Sequence, residues 1–393
     1  MSDIPVIVDI VRTPLGRGKQ GGQLSQVHPV DLLATTLKAL VERNDLDPAM
    51  VDDVITGCVS QVGEQSATPG RVAWLGAGFP AHVPSTTIDR KCGSSQQAIH
   101  FAAQGIAAGA YDIVIAAGVE SMSRVPMGSN RIGQDPYGQA MAERFPQGLV
   151  QQGISAELIA ARWGIGREEM DAYSVESHSR AAAVRDAGGF DDEIIPVFAD
   201  GASIVSDETI RPGTSPDALA QLKPAFERPE FAQRFPEIRW SVTAGNASQI
   251  SDGAAAALLM SERTATRLGL RPRARFVAFD VRGDDPLLML TAPIPATRRV
   301  LEKADLRVEA IDHFEVNEAF ACVPLAWLKE LKADPARLNP RGGAIALGHP
   351  LGASGVRLMA TMLGALEQGG GRFGLQTMCE AGGMANATII ERL

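Results

Sequence analysis

Cysteine is scarce in this 393-residue chain, and its four cysteines, Cys58, Cys92, Cys322 and Cys379, stand far apart with no CxxC spacing. That excludes a disulfide framework of the kind that staples small secreted domains, and it fits a reducing compartment. No run of about 18 or more apolar residues occurs, so no helical membrane span is expected. An excess of basic charge is also missing. Lys and Arg number 37 against 46 Asp and Glu, a formal net charge of -9, which removes the electrostatic footprint of a nucleic-acid binder while leaving room for a local basic pocket. The opening MSDIPVIVDIVRTP has no cationic leader or cleavage pattern, and the closing IERL has no peroxisomal or retention address. A cytoplasmic location is the expectation.

What is present is an ordinary globular composition, 45% hydrophobic and 21% charged. Single cores rarely grow past about 250–300 residues, so two or three packed units are expected. The chain also repeats itself. Leu46 to Gly57 (LDPAMVDDVITG) aligns with Leu306 to Asn317 (LRVEAIDHFEVN) at an offset of 260, and the same offset carries Asp112–Glu120 onto Arg372–Glu380 and Ser95 onto Gly355. A shared register over that distance indicates an internal duplication.

Each copy alternates strands with helices and has a Gly/Ser-rich turn into a helix, which predicts an α/β architecture with helices on the sheet faces. The helix near Ala98–Ala108 is apolar or small on nearly every side and is expected between layers, with Gly109 ending it. From Ser121 to Trp240 the pattern loosens into Met, Pro, Gly and charged stretches, an inserted loop domain holding two helices, Ile154–Trp163 and Arg167–Ala183. The expected units are 1–120 with 241–270, then 121–240, then 271–393.

Four positions suit chemistry. Cys92, in STTIDRKCGSSQQA, precedes a helix start, where a thiol pKa is expected to fall; alone, a cysteine is more often a small buried hydrophobe. His349 lies in the Gly-rich turn GGAIALGHPLGASG, which suits a general base near a ligand, or a hydrogen-bonded structural histidine. Cys379 follows FGLQTM and precedes EAGGM, a turn whose N–H groups can form an oxyanion hole, or it is a buried strand-end cysteine. Asn317, in VNEAF, ends a buried strand and needs polar partners of either kind. A zinc site from two cysteines and a histidine lacks the usual short ligand spacing, so no metal is expected.

Taken together, CGSSQQA, VNEAF, GGAIALGHPLGASG, CEAGGM and TAGNASQISDGAAAALLM resemble the thiolase family over essentially the whole chain. The resemblance implies a five-layered αβαβα fold of two similar halves with a loop domain, and a transferase that makes or breaks the carbon–carbon bond of a 3-ketoacyl-CoA. It implies Cys92 as acylated nucleophile, His349 as its activator and Cys379 as proton shuttle. It also implies an oxyanion hole from His349 and a water held by Asn317, and a second from the N–H groups of Cys92 and Ala381. Ser248 matches a position on the pantetheine arm, and Lys223 a basic position near the nucleotide, where an exposed lysine is the plain alternative. Coenzyme A enters as substrate, with no permanent cofactor. A homodimer or homotetramer is expected on the same ground, and whether a hydratase–dehydrogenase partner delivers substrate is left open by the sequence.

The chain departs from the family pattern at three places: Ala381 stands where Gly is usual, Arg341 and Gly342 follow Asn339 and Pro340 where an Asn–Gly pair is usual, and Gln151, Gln152 and Gly153 replace a His–Met pair before glycine typical of acetoacetyl-CoA enzymes. The last difference favours a broader or bulkier acyl substrate. A decarboxylating ketoacyl synthase would use His–His or His–Asn partners, and Cys379 with GHPLGASG speaks against it. A thiolase-like protein that binds acyl-CoA or lipid, or scaffolds a complex, without turnover is the alternative from another class.

Overall fold

The computed structural model describes residues 3–199 and 201–393. Its strands are β1 Pro5–Arg12, β2 Gly16–Arg17, β3 Asp53–Gly57, β4 Ser85–Ile88, β5 Ile113–Ser121, β6 Val197–Ala199, β7 Ala202–Ile204, β8 Ser251–Ser261, β9 Ala274–Gly283, β10 His313–Val316, β11 Phe373–Glu380 and β12 Met384–Arg392. Most lie on one path, β10-β11-β12-β9-β1-β8-β5-β3-β4. The path has a weak seam at its middle. There β1 and β9 share only Val6 with Arg275 and Ile7 with Ala274, whereas β1 pairs β8, and β9 pairs β12, along nearly their whole lengths. On either side of the seam the strand order is the same, as the duplication requires. The second half's counterpart of β4 is reduced to a single parallel bridge, Phe314 to Leu338.

Strand side chains alternate between faces. On β5 and β8 one face presents Val114, Ala116, Ala255, Ala257 and Leu259 to the helices Ser94–Ala107 and Ser354–Gly369. The other presents Ile113, Ile115, Ala117, Ala256, Leu258 and Met260 to the helices Pro29–Arg43 and Pro69–Gly76. In the second half Leu375, Ala385, Ala387 and Ile389 pack outward on Pro293–Ala304 and Cys322–Leu331. The result is five layers, αβαβα, with one helix from each half in the middle. Each Leu or Ile sealed there contributes roughly 1.5–3 kcal/mol over its exposed state.

The middle helices meet closely because small residues face each other. A Cβ on Gly355 would overlap the backbone N of Gln96, and one on Gly57 would overlap the backbone N of Ser95. Gln96 crosses the layer, its Nε2 donating to Thr388 Oγ1 at 2.8 Å. The duplication extends to single hydrogen bonds. Asp52 Oδ2 accepts from the N–H groups of Asp112 and Ile113 at 2.6 and 2.9 Å, and Asp312 Oδ2 accepts from Arg372 and Phe373 at 2.7 and 3.0 Å.

The inserted segment forms helices Gln152–Arg162 and Arg167–Asp186, each close to its expected range. Glu318 binds the second of these to the body of the protein, accepting from Tyr173 Oη at 2.9 Å, Ser177 Oγ at 2.7 Å and Asn339 Nδ2 at 3.1 Å.

Candidate active site

Between β4 and the helix Ser94–Ala107 the chain makes a tight turn. Asp89 Oδ1 accepts from the N–H of Lys91 at 2.7 Å, Ser94 Oγ accepts from the N–H of Arg90 at 2.9 Å, and Lys91 takes a left-handed φ of 50°. The turn sets Cys92 two residues ahead of the helix, with only 5% of its surface exposed. Its backbone N–H has no acceptor among the described residues. The expected fall in thiol pKa does not occur: burial, and after it the acidic Glu380, push the Cys92 thiol up to about 12. A helix end is worth at most about 1–2 kcal/mol, whereas desolvation moves a buried thiol by several units. Cys92 therefore rests as a thiol and needs a base.

The candidate base, His349, lies in the loop before the second middle helix. The N–H of His349 donates to Gln249 O at 3.0 Å and approaches Ser251 Oγ at 3.1 Å, which fastens the loop to the start of β8. His349 Nδ1 lies 2.6 Å from Ser354 Oγ, and that hydroxyl donates its own hydrogen to Pro350 O at 2.8 Å. With that hydrogen on Pro350 O, Ser354 accepts, an arrangement that assigns the ring hydrogen to Nδ1 and the lone pair to Nε2. Burial first, then Arg357, lowers the His349 pKa to about 3, which keeps the ring neutral.

Nε2 faces Asn317, whose Nδ2 lies 3.4 Å away. Asn317 follows β10 and is tied to the neighbouring strand by its N–H to Thr377 O at 3.0 Å. Its Oδ1 is buried without a hydrogen-bond partner among the described residues. Two residues beyond Thr377 comes Cys379, which lies inside β11, the strand running on to Glu380. Its thiol is raised well above the ordinary range by burial, and next by the nearby Cys92, so both sulfurs share one buried site. The turn Ala381–Gly383 follows, and the N–H of Ala381, like that of Cys92, has no acceptor among the described residues.

Ser248 is half-buried on the strip leading to β8, its N–H donating to Ala319 O at 2.9 Å. Lys223 is exposed and forms no ion pair among the described residues. No group of three or more metal-ligating side chains occurs among the described residues, and no described helix is long and apolar enough to cross a membrane.

Residues 5–263 match the family model for the thiolase N-terminal domain, and residues 270–392 match that for the thiolase C-terminal domain. The chain belongs to the thiolase family. Its relatives include the steroid 3-ketoacyl-CoA thiolase FadA6 of Mycobacterium tuberculosis, 50% identical with 98% of this chain and 94% of the relative covered. The 3-ketoacyl-CoA thiolase of Cronobacter sakazakii is 42% identical, with 99% of each covered. Among solved structures, the acetyl-CoA acetyltransferase of Bacillus anthracis superposes with a TM-score of 0.88 at 38% identity, over 100% of this chain and 99% of that one. This thiolase is accordingly an acyltransferase, with coenzyme A as a substrate and no permanent cofactor. The non-catalytic alternative finds no support among these relatives.

Sequence reasoning missed the parts of the thiolase site that act through others. Ser354, five residues after His349, fixes the imidazole tautomer, and a serine at a helix start carries no distinctive signal. Glu120 was part of the repeat, yet its task was not foreseen: it accepts from Val59, Ser60 and Gly352 and so anchors the His349 loop from the other half.

Proposed function

We propose that this thiolase cleaves 3-ketoacyl-CoA with CoA, giving acetyl-CoA and a shortened acyl-CoA, and runs the reverse condensation through the same acyl-Cys92 intermediate. The observation that carries this reading is the placement of His349, buried with Nδ1 2.6 Å from Ser354 Oγ and Nε2 turned to Asn317, which is tied to the strand that carries the Cys379 thiol. Burial raises the Cys92 thiol, so it holds its proton at neutral pH and a base is needed.

His349 Nε2 takes the proton from Cys92 Sγ, and the thiolate attacks the 3-keto carbon. The bond between that carbon and C2 breaks, and the electron pair leaves as the enolate of acetyl-CoA. Cys379 gives its proton to the enolate carbon, and the Cys379 thiolate then takes the proton of incoming CoA. The CoA thiolate attacks the Cys92 thioester and releases the shortened acyl-CoA, and the proton on His349 returns to Cys92. Once protonated, Nε2–H is a donor for the enolate oxygen, together with a water held on Asn317 Oδ1. The N–H groups of Cys92 and Ala381 serve the thioester oxygen. Each such donor contributes on the order of 3 kcal/mol to barrier lowering.

Ser248 contacts the pantetheine arm and Lys223 the nucleotide end, with 121–240 as the covering unit between the halves 1–120 with 241–270 and 271–393. The acyl group is larger than acetyl, supported by Gln151, Gln152 and Gly153 and by the name of the relative at 50% identity, a steroid 3-ketoacyl-CoA thiolase. The protein works as a homo-oligomer in the cytoplasm, supplied by a hydratase–dehydrogenase sequence. The test is thiolysis of a panel running from acetoacetyl-CoA to long, branched and polycyclic 3-ketoacyl-CoAs, with Cys92→Ala as control. Loss of turnover in the control is expected; turnover on acetoacetyl-CoA alone refutes the bulky-acyl assignment.

A further inference from the structure

The two halves carry the same acid at matching positions and use it differently. Glu120 is near the end of β5 and Glu380 ends β11, separated by the repeat offset of 260. The Glu120 carboxylate is fully engaged. It accepts from the N–H groups of Val59 at 2.9 Å, Ser60 at 3.0 Å and Gly352 at 2.9 Å, and from Gln65 Nε2 at 3.0 Å. The position that matches Gly352, again 260 residues earlier, is Cys92. A faithful copy would therefore have Glu380 accept from the N–H of Cys92. It does not: both carboxyl oxygens of Glu380 are buried without a hydrogen-bond partner, and the N–H of Cys92 is equally unclaimed among the described residues. The carboxyl instead lies against Gly93, where a Cβ would overlap Oε1. The residue matching Gly93 in the other half is Ala353, which has a Cβ.

We propose that Glu380 is a positioning residue for the nucleophile: its side chain fills the space behind Gly93, fixes the turn carrying Cys92, and leaves the Cys92 N–H free for the oxygen of the acyl thioester. This rests on the reading of Cys92 as the acylated thiol. The groups that face Glu380 are Arg90 and Asp89 from the Cys92 turn, Cys92 itself, Cys379 on its own strand and the backbone N–H of Asn386 on β12. Burial dominates among them and raises the carboxyl well above its ordinary range, which disfavours a second anion beside the forming thiolate.

The experiment compares Glu380→Gln and Glu380→Ala with the native enzyme by kcat and KM for thiolysis, and by the rate at which iodoacetamide alkylates Cys92 between about pH 6 and pH 10, read on the Cys92 peptide by mass spectrometry. Gln, with the same shape and no charge, keeps kcat and the neutral-pH alkylation rate within about threefold, while Ala loses at least about tenfold in kcat with KM changed far less. The alkaline arm of the profile also differs, because Gln cannot ionise beside the sulfur. A Gln variant that falls as far as Ala overturns the proposal, since the carboxyl proton or charge is then required; so does an Ala variant with native kcat. The Gln arm decides even where the Ala variant does not fold. Turnover surviving in Cys92→Ala would instead overturn the nucleophile assignment, and the alkylation rates report the effect of Glu380 on Cys92 independently of that result.

Discussion

Replacing Ser354 with alanine removes the side-chain acceptor of the His349 Nδ1 hydrogen among the described residues, a contact of 2.6 Å between two buried residues. Two effects follow from that geometry. The Nδ1–H loses a buried partner, which costs about 1–3 kcal/mol, and the ring is then free to move its hydrogen to Nε2, where it blocks proton uptake from Cys92. If the tautomer preference is the main thing lost, kcat falls roughly tenfold to a hundredfold, since each 1.4 kcal/mol is about a factor of ten. KM changes little, because Ser354 faces the imidazole and not the substrate. The assay is steady-state thiolysis with the rate of Cys92 alkylation measured in parallel, and both decline together. Ser354→Thr keeps the hydroxyl and should recover most of the loss. A Ser354→Ala enzyme with native kcat and native alkylation rate refutes the tautomer argument and leaves His349 without an assigned orienting partner.

Cys379→Ala should lower full turnover by about 10²–10⁴, the usual range for a lost proton-transfer group, while iodoacetamide still alkylates Cys92; native turnover in this variant would contradict the division of labour. Glu120→Gln cannot accept from every N–H that the carboxylate now holds, so the melting temperature should drop with a cost of about 1–3 kcal/mol. His178 should make stability sensitive to acid. Its pKa is lowered to about 4 with burial as first cause, against about 6.5 when unfolded. At this residue the unfolded chain binds more protons, so the stability it contributes above about pH 6.5 is lost as pH falls toward 4, at up to about 1.4 kcal/mol per pH unit, while buried carboxyls with raised pKa, such as Glu157 and Glu318, act in the opposite sense. A His178→Gln variant whose denaturant midpoints keep the native dependence on pH between about 6.5 and 4.5 would count against this.

The duplication, the α/β alternation and the middle helix were legible because they depend on periodicity and on a register that survives in the residues themselves. The offset of 260 aligns Asp52 with Asp312, and the structure gives both the same hydrogen bonds to two successive N–H groups. The candidate nucleophile and base stood out by their turns, and the structure buries both Cys92 and His349 there. What escaped was electrostatic sign and tautomer. The start of a helix suggested a lowered Cys92 pKa, but burial beside Glu380 reverses it, and burial is a property of the whole fold rather than of a six-residue window. Likewise, nothing local separates Glu120 from Glu380; only the three-dimensional partners do.

The middle layer takes one helix from each half, and Gly355 of one rests on the backbone of the other. Either half alone would therefore expose an apolar helix with no cover, and the surface of matching shape is the other copy. In evolutionary terms the chain is a symmetric dimer joined end to end into one polypeptide. Joining removed the obligation that both subunits stay alike. A symmetric pair would have to change both acids at once, whereas the fused chain keeps Glu120 as a brace and has released Glu380 beside the nucleophile.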